Sequence, residues 1–245
     1  MRSREVPAAA SSLTAALLTG AERAVTEVVR THASVHYDTG SADLPVLCVC
    51  TPEAVRLPNA VVTEHLPHGP LTVGGGQLRS AELTLAVRRW WRPARPSGVR
   101  ADVARARLTV VDVPGPALVD LEPHALLGRG PGLTPSGDDV LAGALVTARA
   151  TADPRLARWR AATAAALRDR TTTAVSRGLL RHALDGYATD ELAELLAALG
   201  SPDAQHDRGL PRALGRLLAV GHSSGAALLA GVRFTIESRQ LEEAA

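Results

Sequence analysis

The pattern of apolar and polar residues changes in character near the middle of the chain. Between about residues 33 and 113, short β-branched runs (VLCVCT, NAVVTEHL, ELTLAV and LTVVDV) are separated by clusters of Pro and Gly, as is typical of β-strands and turns. From about residue 117 onward, apolar residues recur every three or four positions between Gly or Pro stops, which indicates helices. The sequence therefore predicts an α+β fold, with a β-rich N-terminal half followed by a mainly helical C-terminal half.

The spacing of apolar residues also predicts where the parts of the chain begin and end. Residues 12–30 fit an amphipathic helix, because their Leu, Ala and Val residues would share one face. We therefore expect an N-terminal helix plus a small β-rich domain over residues 1–115. A mainly helical domain carrying the GLTPSGDD loop is expected over residues 116–236, and a polar tail over residues 237–245.

Composition narrows the possible functions. With 46% hydrophobic, 21% charged and only 2% aromatic residues, the chain suits a globular core built from Ala, Val and Leu. The net charge of +2 is too small to suggest nucleic acid or a membrane surface as a partner. All basic residues are Arg, so no lysine can form a Schiff base or bind a nucleotide phosphate.

The cysteines and the N-terminus add two expectations. Cys48 and Cys50 lie two positions apart in a predicted strand, so both should face the same side as buried thiols. Two cysteines cannot build a zinc set or a disulfide framework. The N-terminal segment is only weakly similar to a signal peptide, because Glu5 interrupts it. No apolar run approaches the roughly 18–20 residues of a membrane span, and we expect a cytoplasmic protein.

The stretch GRGPGLTPSGDDVLAG, residues 128–143, is a glycine-rich loop that leads into a helix. It does not fit the dinucleotide fingerprint, whose sixth position would be Leu133. It does not fit the phosphate loop either, because Asp138 and Asp139 stand where Lys and Ser or Thr belong and would repel phosphates. The nucleophile elbow is also absent, because glycine follows Ser136 at once.

A turn that feeds a helix remains, and two capping arrangements are open. Thr134 could cap with Pro135 at the first helical position, or Ser136 could cap with Asp139 completing a capping box. Successive helical residues point about 100° apart, so Asp138 and Asp139 should differ in role. We expect one to brace the turn and the other to face a ligand, and we take both as the candidate catalytic residues. No cofactor is certain, but either carboxylate could hold Mg²⁺ beside a phosphate.

The loop also offers groups that can bind an anion. Amides at a helix start and an arginine suit a carboxylate or phosphate, and the nearby carboxylate suits an amide. A small ligand that carries both groups is therefore expected here. The expected anion-binding residues of this loop are Arg129, Gly130, Gly132, Thr134, Ser136 and Gly137.

Two further segments carry candidate ligand-binding residues. Thr172 and Ser176 lie at a hydroxyl-rich helix start. The turn before the last helix carries His222, Ser223, Ser224 and Gly225, whose amides could form a second anion site. SGAALLAG in that helix echoes SGDDVLAG of the loop, which suggests a shared device of a turn followed by a capped helix. No metal-ligand spacing is found among the histidines.

Three motifs together carry a resemblance: GRGPGLTPSGDDVLAG, TTTAVSRGLLRHALDGY and VGHSSGAALLAG. They resemble the family of the AllH-type subunit of oxamate carbamoyltransferase, long classified as a domain of unknown function. The GPGLTPSGDD run is the most specific of the three. The similarity covers about residues 116–234. The β-rich half resembles the family only in its general pattern of apolar and polar residues.

The resemblance implies a carbamoyltransferase subunit in allantoin catabolism. Such complexes interconvert oxalurate plus phosphate with oxamate plus carbamoyl phosphate, and this subunit works with two others. The resemblance thus implies protein partners, a small carboxylate or amide substrate and phosphate, and activity only in the complex. The chain departs from the family at Ala227, where an acidic residue is frequent. If that acid matters in the family, the departure implies a changed substrate or a reduced role for this protein.

Two alternatives to a catalytic subunit stay open. The chain could be a non-catalytic subunit that binds a small anion or closes a subunit interface. It could also be a stand-alone hydrolase, although no nucleophile–base pair is apparent in the sequence. Turnover, or its absence, in a reconstituted mixture separates these functions.

Overall fold

The structure is a computed structural model of the chain, and it describes residues 3–109, 118, 120–201 and 209–238. The chain divides into two compact units, Met1–Pro93 and Ala94–Ala245. The first unit is a β-barrel and the second is built from helices. The predicted α+β fold, with its strand-rich first half and helical second half, is confirmed.

Eight strands form the closed barrel of the first unit. Around the barrel they follow the order β1-β5-β4-β3-β2-β6-β7-β8, and all neighbours are antiparallel except the parallel pairs β1–β8 and β4–β5. The strands are β1 (Arg4–Ser11), β2 (Arg23–Arg30), β3 (Ser34–Asp38), β4 (Val46–Cys50), β5 (Ala60–Thr63), β6 (Leu71–Gly74), β7 (Gln77–Arg79) and β8 (Leu83–Trp91).

Successive side chains of a strand point to opposite faces of the barrel wall. The main apolar cluster of this unit includes Tyr37 of β3 and Val49 of β4, which are fully buried. Cys48 and Cys50 belong instead to a second, smaller cluster together with Ala60. Both thiols are free and buried, so the prediction of two buried thiols in a strand is confirmed.

The predicted N-terminal helix over residues 12–30 is wrong. A 3₁₀ turn (Ser12–Thr14) leads into the short helix α1 (Ala15–Thr19), and the rest of that range is strand β2. β2 pairs with both β3 and β6, so its amides and carbonyls are satisfied by partners distant in sequence. Its valines are β-branched and favour a strand, and the helical spacing of apolar residues did not decide between the two.

A second difference concerns LTVVDV, which was predicted to form a strand. The described part of this run lies in helix α2 (Ala101–Leu108) and at its C-cap Thr109, and residues 110–117 lie outside the described residues. Helical structure therefore begins before residue 117. The predicted polar tail lies outside the described residues from position 239 onward.

Helices α4 (Ser136–Ala150) and α9 (Ser224–Glu237) pack against each other within the second unit, and other helices of the unit pack against them. Most of α4 is buried, and it contributes many members of the unit's apolar core. No helix in the described ranges is long and apolar enough to cross a membrane. After α2, the helices are α3 (Pro123–Leu126), α4 (Ser136–Ala150), α5 (Leu156–Asp169), α6 (Ala174–Leu184), α7 (Asp190–Gly200), α8 (Gly209–Leu218) and α9 (Ser224–Glu237).

Helices α4 and α9 pack against each other through two equivalent glycines. A Cβ on Gly143 would lie 2.2 Å from the carbonyl oxygen of Leu228, and a Cβ on Gly231 would lie 2.1 Å from that of Val140. These four residues occupy matching positions in SGDDVLAG and SGAALLAG. The internal echo therefore corresponds to a symmetric contact that brings two helical backbones close together.

Candidate functional site

The candidate site lies where α4 and α9 begin, because these helices start side by side. Four hydroxyl groups meet there, and we call them the hydroxyl cluster. Thr134 Oγ1 lies 2.9 Å from Ser224 Oγ, and Ser136 Oγ lies 3.5 Å from Ser223 Oγ. The site is therefore built from the glycine-rich loop and from a second turn 90 residues further along the chain.

The glycines of the loop allow its tight path towards α4. Gly128 has a φ of +71° and Gly130 a φ of +115°, a region that favours glycine. A Cβ on Gly128 would lie 2.6 Å from the carbonyl oxygen of Thr171, and one on Gly130 would lie 2.9 Å from the amide nitrogen of Ser136. Glycine is thus needed at both positions for backbone conformation and for close approach.

Asp138 holds this loop in place. Its side chain is buried, with a residue exposure of only 1%. Oδ1 accepts a hydrogen bond of 2.8 Å from the amide of Gly128, and Oδ2 accepts a hydrogen bond from the hydroxyl of Thr172. Asp138 therefore ties the first turn of α4 to the start of the loop and to the segment before α6.

Asp139 has a different environment from Asp138. It is 6% exposed, and its Oδ2 has no hydrogen-bond partner among the described residues. Burial raises its pKa to about 7, against the opposing effect of hydrogen bonds from Ser224 and Thr134 and with a smaller raising effect from the charge of Asp138. Near neutral pH this carboxyl group can therefore either donate or accept a proton.

Both predicted caps of α4 are wrong. The helix begins at Ser136, and its N-cap position is Pro135, with no hydrogen bond from a capping side chain. The Thr134 and Ser136 hydroxyls contact the start of α9 instead. Ser223 at the start of α9 makes no capping bond either. The two echoed segments thus share a turn followed by a helix, as predicted, but not a side-chain cap.

Several amides of the two turns already have partners in the protein. The amide of Gly137 donates to the carbonyl of Arg129 at 2.9 Å, and those of Asp138 and Asp139 both donate to the carbonyl of Pro135. The amide of Gly225 donates to Val220 at 2.9 Å. A ligand at this place would therefore depend more on side-chain hydroxyls than on these backbone groups.

The other predicted site residues are more dispersed. Arg129, Gly130 and Gly132 lie exposed on the loop, and His222 lies exposed on the second turn. Ser176 is 1% exposed within α6. The hydroxyl of Thr172 donates a hydrogen bond to Asp138. Of the hydroxyl cluster, Ser224 and Thr134 interact with the carboxyl group of Asp139.

The second turn lacks the acids of the first. Ala226 and Ala227 stand at the positions that match Asp138 and Asp139 in the echoed segments, and Ala227 is buried in the apolar core. Two similar helix starts therefore form an asymmetric site with a single available carboxylate. The echo in the sequence was the signal that could have predicted the contact between the two turns.

Metal coordination at this site would need ligands from elsewhere. In the part of the chain that the structure describes, no three His, Cys, Asp or Glu side chains are grouped as a metal site requires. Asp138 is engaged by Gly128 and Thr172, so Asp139 alone offers a carboxylate oxygen. A Mg²⁺ ion would take its other oxygen ligands from water or from a bound phosphate.

Comparison with known proteins shows that this region is similar to one family. The model of the family described as oxamate carbamoyltransferase subunit AllH matches residues 126–236, which include the whole glycine-rich loop, the hydroxyl cluster and both echoed helix starts. No solved structure matches the chain. The resemblance drawn from the three motifs is confirmed: the helical part of this chain matches the family of oxamate carbamoyltransferase subunit AllH.

Proposed function

We propose that this chain is a subunit of a carbamoyltransferase that interconverts oxalurate plus phosphate with oxamate plus carbamoyl phosphate. One observation carries the proposal. Asp139 is a buried carboxyl group with a pKa of about 7, and its Oδ2 has no hydrogen-bond partner among the residues that the structure describes. It interacts with two hydroxyls of the cluster, inside the region that matches the family. Buried acids with a pKa near the working pH are typical of proton-transfer sites.

The proposed chemistry uses Asp139 as general acid and base. In the direction of carbamoyl phosphate, a phosphate oxygen attacks the terminal carbamoyl carbon of oxalurate. The bond from that carbon to the oxamate nitrogen then breaks, and the protonated carboxyl of Asp139 donates a proton to this nitrogen. In the reverse direction, the oxamate nitrogen attacks the carbamoyl carbon of carbamoyl phosphate and phosphate leaves. The carboxylate of Asp139 removes a proton from that nitrogen as the new bond forms. A pKa near 7 suits both directions.

The hydroxyl cluster is proposed to bind the charged parts of the substrate. Hydroxyls of Thr134, Ser136 and Ser223 can donate hydrogen bonds to a carboxylate or phosphate, and preorganised donors of this kind stabilise developing negative charge. Arg129 lies exposed on the adjoining loop and can supply the cation that the cluster itself lacks. Asp138 is proposed to act as a positioning residue, because both of its oxygens are bonded within the protein.

Partners and location follow from the same proposal. The family name speaks of a subunit, so we propose that other protein subunits complete the active enzyme. We also propose that the complex is cytoplasmic. Ala227 in the second turn is proposed to restrict acid–base chemistry to the loop of α4.

A non-catalytic role is the second candidate, and one observation favours it. The amides of Gly137, Asp138 and Asp139 are bonded within the loop, which fits a rigid anion-binding or scaffolding element. In this case Asp139 and the hydroxyls would hold a small carboxylate without turnover. If Asp139 is catalytic, its loss should lower the rate of turnover; if it only binds, its loss should lower the affinity for the small carboxylate.

The test is the formation of carbamoyl phosphate from oxalurate and phosphate by the reconstituted complex. Asp139→Asn keeps the size of the side chain but cannot transfer the proton, so we expect a fall in kcat of about 10²-fold or more. Asp169→Asn is the matched control, because this carboxylate of α5 is exposed. Full activity of the Asp139→Asn complex would exclude the acid–base role, and binding without any turnover in the unmodified complex would favour the scaffolding role.

A further inference from the structure

The helical unit contains a cleft at the C-terminal end of α4, away from the hydroxyl cluster. It has a volume of about 650 Å³ and lies between the segment before α2, the first turns of α2 and the last turn of α4. Arg149 lines this cleft and lies ten residues after Asp139, which is roughly 15 Å along a helix axis. The cleft is therefore separate from the site proposed for carbamoyl transfer.

Positive charge dominates the cleft. Three arginines line it, from the N-cap of α2, the middle of α2 and the end of α4, against one acidic residue. These residues are Arg100, Arg105, Arg149 and Asp102. The charged lining therefore carries a net charge of two positive units. An excess of arginine in a concave site suits an anion with two negative charges.

Arg149 is the arginine of the cleft whose guanidinium group is not engaged by other described residues. Its side chain is half-buried, and it makes no hydrogen bond or ion pair with any described residue. Its aliphatic stem lies against Gly186, where a Cβ would come within 1.9 Å of the Cδ of Arg149. Because Gly186 has no side chain, the stem of Arg149 can pack directly against its backbone, and this contact holds the side chain in place. A guanidinium that is held in this way, and whose donors have no partner in the described part of the chain, can make a bidentate contact with an oxyanion.

Arg105 is held in the same cleft by a contact from α9. Its Nε and Nη2 both donate to the carbonyl oxygen of Ile236, at 3.2 Å each. This contact fixes the guanidinium, yet a carbonyl does not neutralise its charge. Arg100 differs, because it forms an exposed ion pair with Asp102 at 2.5 Å. Among the described residues, Arg149 and Arg105 are therefore the arginines of the cleft that form no ion pair with an acidic side chain.

The backbone of the cleft supports a preformed site. The amide of Val99 donates to the carbonyl of Ala150 at 2.9 Å, which joins the segment before α2 to the end of α4. No side chain caps the N-terminus of α2. Ala152, on the cleft wall, has a φ of +50°, a conformation that costs energy in a residue other than glycine and occurs often at ligand sites.

We propose that this cleft binds a small molecule that carries a phosphate group, held by Arg149 and Arg105. The phosphate dianion matches the two uncompensated charges, and the volume leaves room for more than the phosphate itself. Asp102 opposes the ligand's charge and weakens binding. Free phosphate and a phosphate monoester share this chemistry, and the test distinguishes them.

The test is calorimetric titration of the full chain with inorganic phosphate and, separately, with glycerol 3-phosphate. We expect Arg149→Gln and Arg105→Gln each to weaken binding by about tenfold or more, as loss of a charged hydrogen bond does. Asp102→Asn should tighten binding, because it removes the opposing carboxylate. Arg212→Gln on α8 is the matched control, since this exposed arginine lies outside the cleft and should leave the affinity unchanged.

The Asp139→Asn chain separates this proposal from the proposed function. It should keep the binding that depends on Arg149, even if it abolishes carbamoyl transfer. Tighter binding of glycerol 3-phosphate than of phosphate identifies a monoester ligand, and the reverse identifies free phosphate. The proposal is overturned if neither probe binds at millimolar concentration, or if folded Arg149→Gln and Arg105→Gln chains, verified by circular dichroism, bind as the control does.

Discussion

Asp138 and Asp139 are neighbours in the chain, but only Asp138 has both carboxylate oxygens bonded within the protein. Asp138 accepts from the Gly128 amide and the Thr172 hydroxyl, whereas Oδ2 of Asp139 has no partner in the described ranges. Successive residues of a helix point about 100° apart, so one side chain is directed towards the loop and the other is not. A structural carboxylate and a chemically available one therefore stand side by side.

Replacement of Asp138 by alanine should destabilise the helical unit. The Gly128 amide and the Thr172 hydroxyl would both lose their acceptor in a partly buried place. We expect the free energy of unfolding to fall by about 1–3 kcal/mol for the buried donors left unpaired. Urea unfolding followed by circular dichroism measures the change. Asp169→Ala, which removes an exposed carboxylate, should have little effect, and an equal loss in both variants would contradict the bracing role.

The raised pKa of Asp139 predicts how stability depends on pH. Its folded pKa is about 7 and its unfolded pKa is about 3.9, so the native state binds the proton more tightly. The stability that this group contributes is complete below about pH 4 and is lost as the pH rises to 7. Asp139→Asn should remove this dependence and make the chain more stable than the unmodified one at pH 8, by up to about 4 kcal/mol.

Thermal unfolding of both chains between pH 5 and pH 8 measures this difference. Two buried histidines, His36 and His182, have a pKa that burial lowers to about 4. They contribute stability above about pH 6.5 that is lost as the pH falls towards 4, and this effect is common to both chains. The comparison therefore isolates Asp139. A constant difference in stability across this range would contradict the raised pKa.

The hydroxyl of Thr134 should keep the pKa of Asp139 lower than burial alone would make it. Hydrogen bonds from Ser224 and Thr134 lower the pKa of this carboxyl against the effect of burial. Thr134→Val removes one of them with little change in shape, so the pKa of Asp139 should rise above 7. An NMR titration of the Asp139 carboxyl carbon measures it, with Thr171→Val, an exposed threonine, as the control. A pKa that stays the same or falls in Thr134→Val would show that the hydroxyl does not contact the carboxyl group.

The contact between α4 and α9 predicts a strong effect of a single methyl group. Gly143→Ala or Gly231→Ala would place Cβ about 2 Å from a backbone carbonyl oxygen, and the helices would have to separate. We expect a loss of about 1–3 kcal/mol or more in unfolding free energy. Gly215→Ala in α8 is the matched control, because nothing lies within 4 Å of its Cβ position. There alanine should be neutral or stabilising by up to about 1 kcal/mol.

The helices of the second unit were largely predictable, whereas one strand of the barrel was not. The apolar spacing of α4, α6 and α7 and their Gly or Pro boundaries are local signals, and the helices lie close to the predicted segments. Strand β2 depends on pairing with β3 and with β6, which begins at Leu71. This long-range pairing overrides a local spacing that also fits a helix.

The sequence supplied candidate residues for the site, but it did not predict how they are arranged in space. The adjacent Asp138 and Asp139 predict two carboxylates in different surroundings, because successive side chains of a helix point about 100° apart. The meeting of Thr134 with Ser224 depends on the packing of Gly143 against α9, and no local pattern encodes a contact across 90 residues. The repeated SGxxxLAG segment was the one indirect signal. No sequence motif marks Arg149, because the cleft that it lines forms only when the segment before α2 packs against the end of α4.

The pH dependence of carbamoyl transfer tests the role of Asp139 most directly. The measurement is kcat/KM for carbamoyl phosphate formation from oxalurate and phosphate by the complete complex, between pH 5 and pH 9. With Asp139 as the proton donor, kcat/KM should fall above an apparent pKa near 7, and Asp139→Asn should be slow and lack this step. An unchanged step near pH 7 in an Asp139→Asn complex of normal activity would contradict the account.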